Sequence, residues 1–147
     1  MSVFSYLDIT QATKKILREW RDREFLISSA NEKVQRIRDS LTRTTAAADP
    51  NPVKGGSSSR EEKLVNAIDR IDRITAEFHE AETTQEEVLR AWVMLTDEEQ
   101  TILTFMFIEN EDHQGATRVK ERFCIEKTEA YKRTSTALER LAHLLFW

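Results

Sequence analysis

The side chains best suited to bind a ligand lie near the C-terminal end, where cations and hydroxyl groups follow a helical spacing. Six of them are predicted to project from one helix: Lys127, Thr128, Tyr131, Lys132, Thr134 and Ser135. Such groups can donate hydrogen bonds to phosphate oxygens and to base edges in the major groove of DNA. We therefore predict double-stranded DNA as the partner. The preferred contacts are Lys127, Tyr131, Lys132 and Arg133.

No other group of side chains has a spacing that predicts catalysis or metal binding. His79, His113 and His143 are scattered over different elements, and no His, Cys and carboxylate spacing makes a zinc site. The single Cys124 excludes an intramolecular disulfide and indicates a reducing compartment. Gly55–Gly56 lacks the Walker pattern of a phosphate-binding loop. We predict no enzyme activity, no metal and no cofactor.

The elements that position the cationic side chains have the form of a helix-turn-helix motif. A short helix over 116–123 is predicted to brace a second helix that starts at Lys127, across a turn at 124–126. Val119 and Phe123 are expected to face inward, and Ile125 is expected to plug the turn. The second helix turns its apolar face to the core through Ala130, Ala137, Leu138 and Leu141. Arg118 and Lys120, on the bracing helix, are predicted to touch the DNA backbone.

The rest of the chain is predicted to be helical, which makes the fold class all-α. Residues 1–43 are expected to form one long helix, because apolar positions step by four and three from Ile9 to Leu41 with Asp8 as N-cap. Residues 44–59 hold both prolines and two of the three glycines, and they are predicted to form a flexible linker.

A second long helix is predicted over 60–95. Ser59 is its expected N-cap, and its stripe begins at Leu64, Ile68 and Ile71 and weakens near Glu82, so that a break near 83–84 is an alternative. The two long helices would pair as an antiparallel, coiled-coil-like hairpin or in an oligomer. Residues 96–147 are then predicted to form the DNA-binding domain, starting with a capping box from Thr96 to Glu99.

Charge is distributed unevenly along the chain. Residues 1–43 carry nine Lys/Arg and six Asp/Glu, residues 44–115 carry six and sixteen, and residues 116–147 carry seven and four. A basic end on an acidic protein is a weak indication of nucleic-acid binding. No run of about 18 apolar residues and no signal peptide is present, so we expect a cytoplasmic protein without a membrane span.

The run from Arg118 to Leu141 resembles region 4 of bacterial sigma factors at its apolar positions, and LTDEEQTILTFMF resembles the first helix of that domain. The whole layout is similar to the ArpU family of phage late-gene transcriptional regulators. Three blocks carry that resemblance: TKKILREWRDREFLI, NPVKGGSSSREEKLVNAIDRID and YKRTSTALERLAHLL. It implies a sigma-region-4-like bundle after the helical pair, which binds promoter DNA in a bacterial host and activates phage late genes, with RNA polymerase as a further partner.

Two residues depart from the sigma-like pattern. Lys120 stands where such helices carry a small buried Ala, and Cys124 replaces the usual Gly of the turn. Either Cys124 accommodates the turn without a positive φ, or the motif is displaced by one residue. The apolar C-terminal segment LAHLLFW is expected to pack into the core or to form a dimer contact.

Two other functions remain open from the sequence. A DNA-packaging recognition subunit of the small-terminase type would also bind DNA but would form a ring. A helical interaction protein would bind RNA polymerase or a sigma factor without touching DNA. A monomer or dimer favours the regulator, and a ring of many subunits favours the packaging subunit.

Overall fold

The structure, a computed structural model, describes residues 3–46, 56–110 and 112–147 and contains helices but no strand within these ranges. The predicted all-α fold class is therefore confirmed. Six α-helices follow one another: α1 Val3–Arg18, α2 Trp20–Ala46, α3 Gly56–Trp92, α4 Asp97–Leu103, α5 Gly115–Phe123 and α6 Lys127–Phe146. A π-helical segment, Thr104–Ile108, continues α4.

The helices belong to two compact units. The first, which we call the terminal unit, comprises Met1–Arg23 and Thr84–Trp147. The second, the middle unit, comprises Glu24–Thr83. This division differs from the predicted one, which separated residues 1–43 from a C-terminal domain at 96–147. Helical spacing along one segment cannot indicate which distant segment it packs against.

The core of the terminal unit combines side chains from both ends of the chain. Leu17 and Trp20 pack with side chains from the end of α3, from α4 and from α6. The rings of Trp20 and Trp92 lie 5.0 Å apart between centroids. The buried members of this cluster are Leu17, Trp20, Val88, Ala91, Leu95, Leu103, Ala137, Leu138 and Leu141. Burial of this apolar surface is what holds α1 against α6.

In the middle unit, parts of α2 and α3 lie side by side. Both helices line one groove, and Ala30 and Ile37 of α2 and Ala67 and Ala81 of α3 are buried.

The predicted single helix over 1–43 is divided at Glu19. The division is slight, because the Glu19 amide still donates to the Lys15 carbonyl at 3.0 Å and the Arg23 amide to the Glu19 carbonyl at 2.9 Å. The predicted N-caps are wrong, since Asp8 lies inside α1 and Ser59 inside α3. Helical structure thus extends into both ends of the predicted linker 44–59, and residues 47–55 of that linker lie outside the described ranges.

The buried face of α3 is offset from the predicted one. Leu64 and Ile68, predicted to be in the helix pair, are 48% and 47% exposed, whereas Ala67 and Ala81 are buried. No break occurs near 83–84, and α3 continues to Trp92. The polar Gln85 fits this buried face because its side-chain oxygen accepts a hydrogen bond from Nε of Arg23 at 2.9 Å.

Candidate nucleic-acid interface

The predicted helix, turn and helix are present at the end of the chain. α5 ends at Phe123 and α6 begins at Lys127, within a residue of the predicted boundaries. Val119 is fully buried in a cluster with Ile102 and Ala130, and Phe123 and Ile125 pack against that cluster. The predicted inward positions of Val119, Phe123 and Ile125 are therefore confirmed. These contacts fix α6 against α5 and leave the opposite face of α6 outside the core.

The turn reverses the chain through a left-handed residue. Cys124 adopts φ 51° and ψ 48°, and the Ile125 amide donates to the Lys120 carbonyl at 3.1 Å. Of the two alternatives that the sequence left open, a turn at Cys124 without a positive φ is wrong. The left-handed conformation of Cys124 is the one that glycine commonly adopts at helix C-termini.

The start of α5 lies in close contact with the π-helical segment. A Cβ atom on Gly115 would lie 2.5 Å from the Phe105 carbonyl oxygen and 2.9 Å from the Met106 Cα. Gly115 and the adjacent Ala116 are buried, whereas Lys120 is exposed. The small buried residues of α5 therefore lie at its start, and the Lys120 side chain remains at the surface.

α6 separates a buried face from a hydrogen-bonding face. Ala130, Ala137 and Leu141 are fully buried. Positions i, i+1, i+4, i+5 and i+8 of a helix share one face. Five exposed side chains occupy these positions: Lys127, Thr128, Tyr131, Lys132 and Ser135. We call these five residues the donor face. The eight steps from Lys127 to Ser135 extend this face about 12 Å along the helix axis.

Thr134 does not belong to the donor face. It is 6% exposed, and its hydroxyl donates to the Ala130 carbonyl at 2.7 Å. The prediction that Thr134 projects outward is wrong, because its position on the helix falls between Ala130 and Leu138 on the core side.

Arg133 lies beside the donor face but is engaged with carboxylates. Its guanidinium donates from Nε to Glu129 at 3.2 Å and from Nη1 to Glu98 at 2.7 Å. The hydrogen bonds to these two carboxylates raise the pKa of Arg133 above its ordinary value. A DNA contact by Arg133 would compete with both ion pairs.

The two residues of α5 that were predicted to touch the DNA backbone differ in exposure and in ion pairing. Lys120 is exposed, whereas Arg118 is held in place. The Arg118 guanidinium donates to the Glu109 carbonyl at 3.1 Å and to the Asp112 carboxylate at 2.8 Å. It therefore orders the connection before α5, and a phosphate contact would have to displace Asp112.

α4 holds α6 through a second set of ion pairs that sequence reasoning did not predict. Thr96 and Glu99 form the predicted capping box, with the Glu99 amide donating to the Thr96 hydroxyl at 3.2 Å. Arg140 donates to the same Glu99 carboxylate and to the Met94 carbonyl. Together with the Glu98–Arg133 pair, these contacts orient α6. The capping box was visible in the sequence, but its partners lie about 40 residues further along the chain.

Other kinds of site find no support in the described part of the chain. No group of three or more His, Cys, Asp or Glu side chains is arranged to hold a metal ion there. None of the described helices combines the length and apolar character needed to span a lipid bilayer. Comparison with known proteins yields no matching family model, no matching curated protein and no matching solved structure.

Proposed function

We propose that this protein is a sequence-specific DNA-binding transcriptional regulator whose α6 enters the major groove. The observation that carries the proposal is the donor face, which places two lysines and three hydroxyl groups on one exposed side of the first half of a firmly anchored helix. Lysines would bind phosphates and fix the position on the duplex, while hydroxyl groups would reach base edges.

The anchoring of α6 supports the same proposal. A recognition helix must keep a fixed orientation while it contacts DNA, since an interface gains specificity from pre-organised groups. α6 is held by its buried face, by α5 across the turn, and by the ion pairs to Glu98 and Glu99. Arg133 and Arg140 serve this orientation in the proposed mechanism, and Lys127, Tyr131 and Lys132 make the contacts.

The finer proposal follows from the resemblance to sigma region 4 and to ArpU-like regulators. It is that the protein binds promoter DNA in the cytoplasm of a bacterial host and activates phage late genes, with RNA polymerase as a further partner. The resemblance is in the pattern of apolar residues of α4, α5 and α6. The positive φ at Cys124 supports it, because this is the conformation expected of a turn position usually held by Gly.

Binding to DNA fragments from its own genomic neighbourhood tests the proposal. Fluorescence anisotropy would compare these fragments with unrelated DNA of equal length over a series of salt concentrations. We expect saturable binding that weakens with salt and favours one fragment by at least about a thousandfold. Equal affinity for all fragments would contradict sequence-specific regulation. No binding to any fragment by the folded protein would favour the interaction protein that does not touch DNA.

A further inference from the structure

A shallow groove of about 540 Å³ lies between α2 and α3 on the surface of the middle unit. Its apolar lining residues, which we call the floor, are Ile37, Leu41, Ala67 and Ile74. Ile37 and Ala67 are buried and the other two are partly buried, while the remaining lining side chains are exposed. Along α3 the groove extends about 16 Å, or roughly three helical turns. Because a pocket for a small ligand encloses most of that ligand, this open and elongated groove suits a chain segment.

The side chains at the borders of the groove are positively charged. Four cations, two on each helix, line it, and among the described residues no carboxylate does. These cations, which we call the rim, are Lys33, Arg36, Lys63 and Arg70. Arg36 is paired with Glu32 on its own helix. Lys33, Lys63 and Arg70 form no ion pair with any residue in the described ranges, so these three charges can bind carboxylates of a partner.

Carboxylates of the same two helices lie away from the groove. Asp39 and Asp69 each follow a floor residue by two positions, which places them about 200° round the helix axis from it. Glu62 and Glu77 are closer in position to the rim, but neither lines the groove. The charges are thus separated, with cations around the floor and carboxylates beyond them.

An aromatic side chain extends this surface along α2. Phe25 is 64% exposed, and the centre of its ring lies 5.4 Å from Nζ of Lys33. Aromatic residues and arginine are enriched at protein interfaces relative to the rest of the surface. An exposed ring beside a cationic rim is therefore typical of a surface that a partner protein covers.

We propose that this groove binds an acidic amphipathic segment of a partner protein, with apolar side chains on the floor and carboxylates on the rim. An amphipathic helix that binds in a groove places residues i, i+3, i+4 and i+7 against such a floor. Complementary charge on the rim selects acidic segments and disfavours basic ones. The apolar floor favours a peptide over nucleic acid, because phosphate contacts use no apolar surface. This interaction is separate from DNA binding by α6 and does not depend on it.

Titration of fluorescein-labelled synthetic peptides with the full chain, followed by anisotropy, tests the proposal. The probe is a helical peptide of about four turns with leucines along one face and glutamates on both sides of that face. Two further peptides serve for comparison, one with the same residues in scrambled order and one with lysine in place of glutamate. We expect saturable binding of the first peptide alone, which weakens as salt is added.

Two charge-reversal variants assign the binding to the groove. Lys63→Glu/Arg70→Glu reverses two rim charges, and Arg38→Glu/Arg90→Glu is the matched control outside the groove. We expect the first variant to bind the peptide at least about tenfold more weakly and the second to stay within about threefold of the wild type. All four positions are exposed, so the helix content should not change.

Three results would overturn the proposal. One is a wild type that binds no peptide or binds the scrambled peptide equally well. Another is an equal effect of the two variants. The third is a groove variant that loses binding to an unrelated DNA duplex while no peptide binds the wild type, which would assign the groove to nucleic acid.

Discussion

Cys124 holds the turn between α5 and α6 in a conformation that few side chains adopt. A left-handed backbone brings the Cβ atom close to the following carbonyl, at a cost of roughly 1–2 kcal/mol for residues other than glycine. The φ of 51° at Cys124 therefore represents strain beside the donor face. The sequence has a Cys where the sigma-like pattern has Gly, but it does not show whether the φ of this residue is positive.

Cys124→Gly is expected to stabilise the protein. Glycine removes the Cβ contact, and its greater freedom in the unfolded chain offsets part of the gain. We expect the free energy of unfolding in urea to rise by about 0.5–1 kcal/mol, while Cys124→Val lowers it. A loss of stability in Cys124→Gly would show that the thiol contributes more than its 3.8 Å contact with the Glu121 carbonyl indicates.

The ion pairs of Arg133 could not be predicted from the spacing of residues in the sequence. Arg133 directly follows Lys132 in the sequence, and for this reason it was predicted to contact DNA. Its partner Glu98 lies 35 residues earlier in the chain, and only the fold brings the two together. Exposure and ion pairing, rather than residue type, distinguish Arg133 from Lys127 and Lys132.

At the scale of elements, the C-terminal helices could be predicted more fully than the long ones. A turn separates α5 from α6, and both helices carry apolar residues at few positions. A single set of inward-facing side chains was therefore consistent with the positions of these residues in the sequence. α3 carries two adjacent apolar stripes, one through Leu64 and Ile68 and one through Ala67 and Ala81. The larger side chains favoured the first stripe. The second stripe is the buried one, and side-chain size alone does not indicate which stripe of a helix faces its neighbour.

The crossing of α5 over the π-helical segment depends on Gly115. Gly115→Ala would place a methyl group against backbone atoms of Phe105 and Met106, which cannot move as a side chain would. We expect the free energy of unfolding in urea to fall by about 1–3 kcal/mol. Thr117→Ala, at an exposed position of α5, is the control and should change it little. Equal stability of both variants would indicate that the segment adjusts without cost.

At the scale of the whole molecule, the terminal unit is built from both ends of the chain. Leu17 and Trp20 complete a core to which the end of α3 contributes Val88 and Ala91 and the following turn contributes Leu95. A predicted domain of residues 96–147 would lack all five of these side chains. Periodicity along α1 indicated an apolar face but not its partner, so this division of the chain could not be predicted from the sequence.

A fragment of residues 96–147 is therefore expected not to fold cooperatively. Its apolar positions on α4 and α6 would lose the surface they pack against, and so small a chain has little other core. Thermal unfolding followed by circular dichroism should be broad for the fragment and sigmoidal for the full chain. A sharp transition in the fragment would show that α4, α5 and α6 form an independent domain.

DNA binding by two double variants tests whether the donor face contacts DNA. Lys127→Ala/Lys132→Ala removes both exposed lysines of the face, while Arg43→Ala/Arg73→Ala removes two exposed cations of the middle unit. We predict that the first variant loses at least about tenfold in affinity and that its salt slope falls by about two, while the second binds like the wild type. Equal binding by both variants would contradict DNA contact by Lys127 and Lys132.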